Sequence, residues 1–135
     1  MDEIRYYMNE SLIAIDSEAT AREAAKMMNE QRVKSLLIDE KGKYVGIVTP
    51  SDITFKITAE GLDPDKTKVS QIMAKPLITL ESDLTMARAF LHMHKNHVRH
   101  IIVTEEKKIV GVISLNDFVA YYANKLGQKK DSDNS

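Results

Sequence analysis

The chain has 135 residues, a net charge of −1, 43% apolar and 29% charged residues, and no cysteine. This excludes disulfides, thiolate metal sites and cysteine nucleophiles, and it gives no global pull towards nucleic acid. No apolar run approaches the roughly 18 residues that span a bilayer, and the opening MDEIRYYMNE is too polar for a signal peptide, so a cytoplasmic protein is expected.

In chain order, the run Leu12–Ile15 has the length and polar flanks of a strand. A helix is expected over Thr20–Gln31, where Ala21, Ala24, Ala25 and Met28 share one face. Leu36–Ile38 and Tyr44–Val48 read as two strands joined by the charged turn Asp39–Lys43, a hairpin. A closing helix is expected over Pro50–Ala59, and Gly61–Lys68 is a linker with turn residues. The same series then returns. A strand falls over Leu77–Leu80, and a helix over Thr85–Asn96 puts Met86, Ala89, Phe90 and Met93 on one face. The hairpin is Ile101–Val103 with Ile109–Ile113, and the closing helix runs from Leu115 to Leu126. Residues Gln128–Ser135 have no apolar side chain and are expected to be disordered.

The return is a gapless internal repeat with an offset of 65. Met8 falls on Met73, Ser17 on Ser82, Thr20 on Thr85, Ala24 on Ala89, Met28 on Met93, Gly46 on Gly111 and Asp52 on Asp117. The expected organisation is repeat 1 with its linker over 1–64, repeat 2 over 65–127 and a tail over 128–135. One βαββα copy, with three short strands, makes a marginal core. The expected fold class is therefore α/β, with two tandem βαββα repeats packed about a pseudo-two-fold axis and grooves in related pairs.

Each last strand leads into Gly-h-h-[Thr/Ser]-x-x-Asp: Gly46-Ile47-Val48-Thr49-Pro50-Ser51-Asp52 and Gly111-Val112-Ile113-Ser114-Leu115-Asn116-Asp117. Helix capping accounts for part of this, with Thr49 and Ser114 as N-caps, Pro50 at the first helical position and Asp at the third. A ligand site uses the same geometry. A helix start offers N–H groups to phosphate, and a carboxylate accepts from the vicinal hydroxyls of a ribose. Capping does not account for the glycine, or for the whole unit occurring twice.

With these two segments and Val98-Arg99-His100-Ile101-Ile102-Val103, similar to that family's V-R-H-hydrophobic run, the chain resembles a tandem CBS-domain pair, or Bateman module, from about Met8 to Leu126. The resemblance implies a stand-alone regulatory module that binds AMP, ADP, ATP or a related adenosyl ligand between the repeats and signals to an unknown partner. It also implies a homodimer of modules, no catalysis and no cofactor beyond the regulatory nucleotide. Carried over by position, the first site is Ile47, Thr49, Ser51 and Asp52, with Pro76, Leu77, Ile78, Val98, Arg99 and His100 opposite. The second is Val112, Ser114, Asn116 and Asp117, with Ser11, Leu12, Ile13, Val33, Lys34 and Ser35 opposite. Lys34-Ser35 stands where the family has arginine-histidine. Because Arg99 and His100 are the better phosphate donors, the Asp52 site is expected to hold phosphorylated ligands more tightly.

His92, His94, His97 and His100 include no i, i+4 pair and no carboxylate among them, so metal binding is not expected. Met27, Met28, Met86 and Met93 read as core filling. There is no G-x-S-x-G, P-loop or dinucleotide glycine pattern to suggest an enzyme. Two other functions use the same features: a ligand-free structural or oligomerisation adaptor, and a single-stranded nucleic-acid binder. Near-neutral charge and few aromatics argue against the second.

Overall fold

The computed structural model describes residues 1–133. The chain forms two compact units, Leu12–Ile78 on one hand and Met1–Ser11 with the chain from Thr79 onward on the other. Among the described residues, no helix is long and apolar enough to cross a membrane.

The Leu12–Ile78 unit holds β1 (Ala14–Asp16), α1 (Ala21–Gln31), β2 (Leu36–Glu40), β3 (Lys43–Val48), α2 (Pro50–Asp52) and α3 (Val69–Ile72). Its sheet has the order β1-β2-β3, with β1 parallel and β3 antiparallel to β2. The sequence Thr20-Ala21-Arg22-Glu23 starts α1 as a capping box. Glu23 N–H donates to Thr20 Oγ1 at 3.1 Å, and Thr20 N–H donates to Glu23 Oε2 at 3.2 Å. The β2–β3 turn needs left-handed backbone at two positions, Lys41 (φ 52°) and Gly42 (φ 84°), as a tight hairpin does. Ala21, Ala24 and Met28 of α1 pack with Ile15, Leu36, Ile38, Val48 and Ile57. Val69 and Ile72 of α3 complete this core.

The other unit repeats the plan with a 3₁₀ turn (Ile4–Tyr6), β4 (Thr79–Glu81), α4 (Met86–Lys95), β5 (His100–Glu105), β6 (Lys108–Ser114) and α5 (Leu115–Asp133). Its sheet is β4-β5-β6 in the same sense. Met86, Ala89, Met93, Ile101, Val103, Ile113 and Phe118 are buried, and so is Ile4. The sequence repeat therefore meets a structural one.

The compact units are cut differently from the sequence repeats. The segment that leads into each repeat is built into the unit of the other repeat. Residues 67–74 bond to repeat 1: Val69 N–H to Ala19 O at 2.8 Å, Ala21 N–H to Thr67 O at 2.8 Å, and Ala74 N–H to Ile47 O at 2.8 Å. At the 65-residue offset, residues 2–9 do the same for repeat 2. Ile4 N–H donates to Leu84 O at 2.8 Å, Met86 N–H to Asp2 O at 2.8 Å, and Asn9 N–H to Val112 O at 2.8 Å. Backbone groups that a lone βαββα copy would leave unpaired are satisfied in this way.

Four expectations are corrected. β1 and β4 begin later than Leu12 and Leu77, since their parallel registers open at Ala14↔Leu37 and Thr79↔Ile102. The short helices of the lead-ins were not expected. The closing helix over Pro50–Ala59 is α-helical only in α2, and Ile53–Thr58 is a π-helix. Ala59 N–H reaches Thr54 O at 2.9 Å there. Ile53, Thr54, Ile57 and Thr58 are β-branched and hold an α-helix poorly. Finally, α5 runs on to Asp133, so residues 128–133 of the expected tail are helical. Extending an existing helix adds one bond per residue without a new nucleus. Asn134 and Ser135 lie outside the described residues.

Candidate functional site

In each unit the third strand runs directly into a helix start, and the two copies of the motif sit there. β3 ends at Val48, Thr49 is the extended N-cap (φ −127°, ψ 167°), and Pro50 opens the helix. Asp52 turns its carboxylate back on the cap: Thr49 N–H donates to Oδ2 at 2.9 Å and Thr49 Oγ1 lies 3.4 Å from it. In the other unit Ser114 N–H donates to Asp117 Oδ2 at 2.7 Å, and Ser114 Oγ is 3.0 Å from the same oxygen. The capping expectation holds in both copies. Each aspartate is thereby fixed in orientation with one oxygen used by the cap. Asp52 is buried, 9% exposed, in spite of its charge.

The glycine that capping left unexplained has a packing cause. A Cβ on Gly46 would lie 2.6 Å from Met73 Sδ and 2.9 Å from Ala74 O. On Gly111 it would lie 2.6 Å from Met8 Sδ and 3.0 Å from Asn9 O. The glycine admits the lead-in segment to the edge of the third strand, and its φ is unremarkable in both copies.

A residue four positions after each aspartate adds a feature that the motif did not predict. Lys56 Nζ pairs with Asp52 Oδ1 at 2.9 Å and donates to Ile72 O at 2.8 Å. Tyr121, its counterpart, donates its hydroxyl to Asp2 Oδ1 at 2.7 Å. The Tyr121 hydrogen bond, aided by Lys125, holds the Asp2 carboxyl below the ordinary carboxylate range. Burial pushes the Tyr121 phenol up. The i, i+4 spacing of Asp52 and Lys56 was a visible signal for the first of these pairs.

The remaining expected residues fall as follows. Ile47, beside Gly46, exchanges two backbone bonds with Ala74, at 3.1 and 2.8 Å. Ser51 and Pro76 are exposed, and Leu77 and Ile78 are half-buried in the same unit as Asp52. Val98, Arg99 and His100 belong to the unit of Asp117. There Arg99 O accepts from Leu115 N–H at 2.9 Å, and His100 pairs with Ser114 in the sheet. Ser11 shares the unit of Val112, Ser114, Asn116 and Asp117, whereas Leu12, Ile13, Val33, Lys34 and Ser35 do not. Val33 and Lys34 instead line a groove of about 740 Å³ with Ala25, Met28, Pro50 and Ile53. His92, His94 and His97 are exposed at the end of α4, as expected, and Met28, Met86 and Met93 are buried.

Comparison with known proteins places this arrangement. The CBS domain family matches residues 2–59 and again 69–124, so both matches take in the lead-in segments or part of them. An uncharacterized protein, MK0525 of Methanopyrus kandleri, is 32% identical over 102 residues, covering 74% of this chain. The match spans only about half, 52%, of that relative's length. The CBS domain-containing protein YhcV of Bacillus subtilis is 26% identical over 117 residues, 87% of this chain and 83% of YhcV. A crystal structure of an uncharacterized conserved protein from Pyrococcus horikoshii superposes with a TM-score of 0.84 at 31% identity. It covers 89% of this chain and 91% of that one. With the βαββα plan, the aspartate-capped helix start and the lead-in each present twice, the chain belongs to the CBS-domain family and carries a tandem pair of its domains.

Proposed function

We propose that this CBS pair is a regulatory sensor that binds an adenine nucleotide, AMP, ADP or ATP, or a related adenosyl ligand at its two aspartate-capped helix starts. CBS pairs are commonly regulatory and ligand-binding, and typically not catalytic. The observation that carries the nucleotide reading is the geometry of the carboxylates. In both repeats the cap fixes one oxygen and the rotamer, which prepares the group to accept from a vicinal diol. The ligand residues are those carried over above, with the ribose at Asp52 or Asp117 and phosphate towards the cationic side chains. Occupancy is relayed to an unidentified regulated protein in the cytoplasm. Exposed Phe55, Phe90, Leu91 and Val119 on the helices favour pairing of two copies into a homodimer.

A ligand-free adaptor is favoured by one observation, that both oxygens of Asp52 already have partners within the protein. Thermal denaturation with AMP, ADP, ATP and adenosylmethionine separates the two readings. A ligand present at 100 times its dissociation constant adds about 2.7 kcal/mol of stability. Calorimetry should then show that Asp52→Ala and Asp117→Ala each remove one site. If none of the four ligands shifts the transition, the adaptor reading stands and the sensor reading falls.

A further inference from the structure

The two units tie their lead-in segments down with different residues, and the difference reaches the proposed ligand site. Lys56 holds the lead-in through Ile72 O, and Tyr121 holds the other through Asp2. Lys56 also holds Asp52 Oδ1, whereas Tyr121 makes its bond to Asp2 and not to Asp117. One ammonium, with three donors, thus joins the motif carboxylate to the carbonyl that ends α3. At Asp117 the cap uses Oδ2, and among the described residues no ion pair engages the other oxygen.

We propose that Lys56 is a lock on the Asp52 site. A vicinal-diol ligand engages Asp52 by displacing the ammonium, and the displacement releases Ile72 O and loosens Met73–Ile78, the stretch that carries Pro76, Leu77 and Ile78. This rests on the reading of Asp52 as a ribose acceptor and adds how that site is regulated. The Asp52 side chain is 11% exposed, so ligand and ammonium compete for one small open edge of the carboxylate. The Lys56 side chain is 46% exposed, so a displaced ammonium returns to water instead of being stranded. Among the described residues Asp117 has no such competitor, and it takes a neutral diol first. Only occupancy at Asp52 is transmitted to a lead-in.

The test uses the full chain, with Lys56→Met compared to wild type, each also in an Asp117→Ala background that isolates the Asp52 site. Adenosine is the probe, because it has the diol but no phosphate that a freed Lys56 could hold. Calorimetry should show adenosine binding at Asp52 tightened roughly two- to fivefold by Lys56→Met, the worth of a half-exposed ion pair. Hydrogen exchange at the Met73 and Ala74 amides should be faster in ligand-free Lys56→Met than in wild type. Adenosine should speed exchange there in wild type and leave the variant unchanged. Unchanged or weaker binding at Asp52 in the variant, or unchanged ligand-free exchange, overturns the lock. Absence of adenosine binding from every form refutes the reading of Asp52 as an acceptor for a neutral diol, while the four-ligand thermal test decides the nucleotide reading separately; unchanged ligand-free exchange still overturns the lock.

Discussion

A carboxylate that caps a helix start uses one oxygen for structure, and in Asp52 the other is paired with Lys56, so Asp52 and Asp117 each contribute to stability before any ligand arrives. Asp117→Ala should cost about 1 kcal/mol in urea denaturation, the worth of a cap. Asp52→Ala should cost up to about 1 kcal/mol more, because it also removes the Lys56 pair. Equal losses would show that the pair contributes nothing. The motif glycines give a sharper expectation. Gly46→Ala drives a methyl against a backbone carbonyl as well as a flexible methionine, and overpacking of this kind costs roughly 1–3 kcal/mol. Met73→Ala in the same chain should recover only part of the loss, since Ala74 O cannot yield as a side chain does. The motif was visible in the sequence. The reason for its glycine was not, because the atom it makes room for lies 27 positions away in the lead-in to the next repeat.

At the scale of the element, the lead-ins are short, and side-chain ties hold them. Tyr121→Phe removes the hydrogen bond to Asp2 and should speed hydrogen exchange at the Ile4 and Met8 amides, with little change at β5. The pH dependence follows from the signs. The Asp2 carboxyl is held low in the folded chain, chiefly by Tyr121. Its contribution is therefore present above the ordinary carboxylate value and is lost as pH falls through the lowered one. The Tyr121 phenol is held high, so its contribution is present below the ordinary phenol value and is lost as pH rises through the raised one. Tyr121→Phe should flatten both limbs for the Ile4 and Met8 amides. The strands and main helices were legible because their apolar periods are strong and occur twice. The 3₁₀ turn and α3 were not legible. Ile4 is the single anchor of the 3₁₀ turn and α3 has only Val69 and Ile72, and elements of three and four residues carry no period. The π-helix was equally hidden, since its residues fit a helical pattern and only the hydrogen-bond spacing differs.

At the scale of the whole chain, similarity and compactness divide the same residues in different places. The repeats were expected to meet at 64/65, yet α3 gives Val69 and Ile72 to the core of the first unit. A fragment of residues 12–78 should therefore unfold in a cooperative thermal transition, while a fragment of residues 1–64 should not. The second keeps a lead-in without its strands and lacks the one its own strands need. Similar transitions in both fragments would show that the lead-ins are dispensable. The exchange of lead-ins also sets an order of events on the ribosome. The Leu12–Ile78 unit can close as soon as Ile78 has emerged, while translation of the remainder continues. Asp2 and Ile4 are synthesised before any of it, but their partners Leu84, Met86 and Tyr121 come late. Asn9 likewise waits for Val112. Of these residues, the earliest made are thus among the last to be seated.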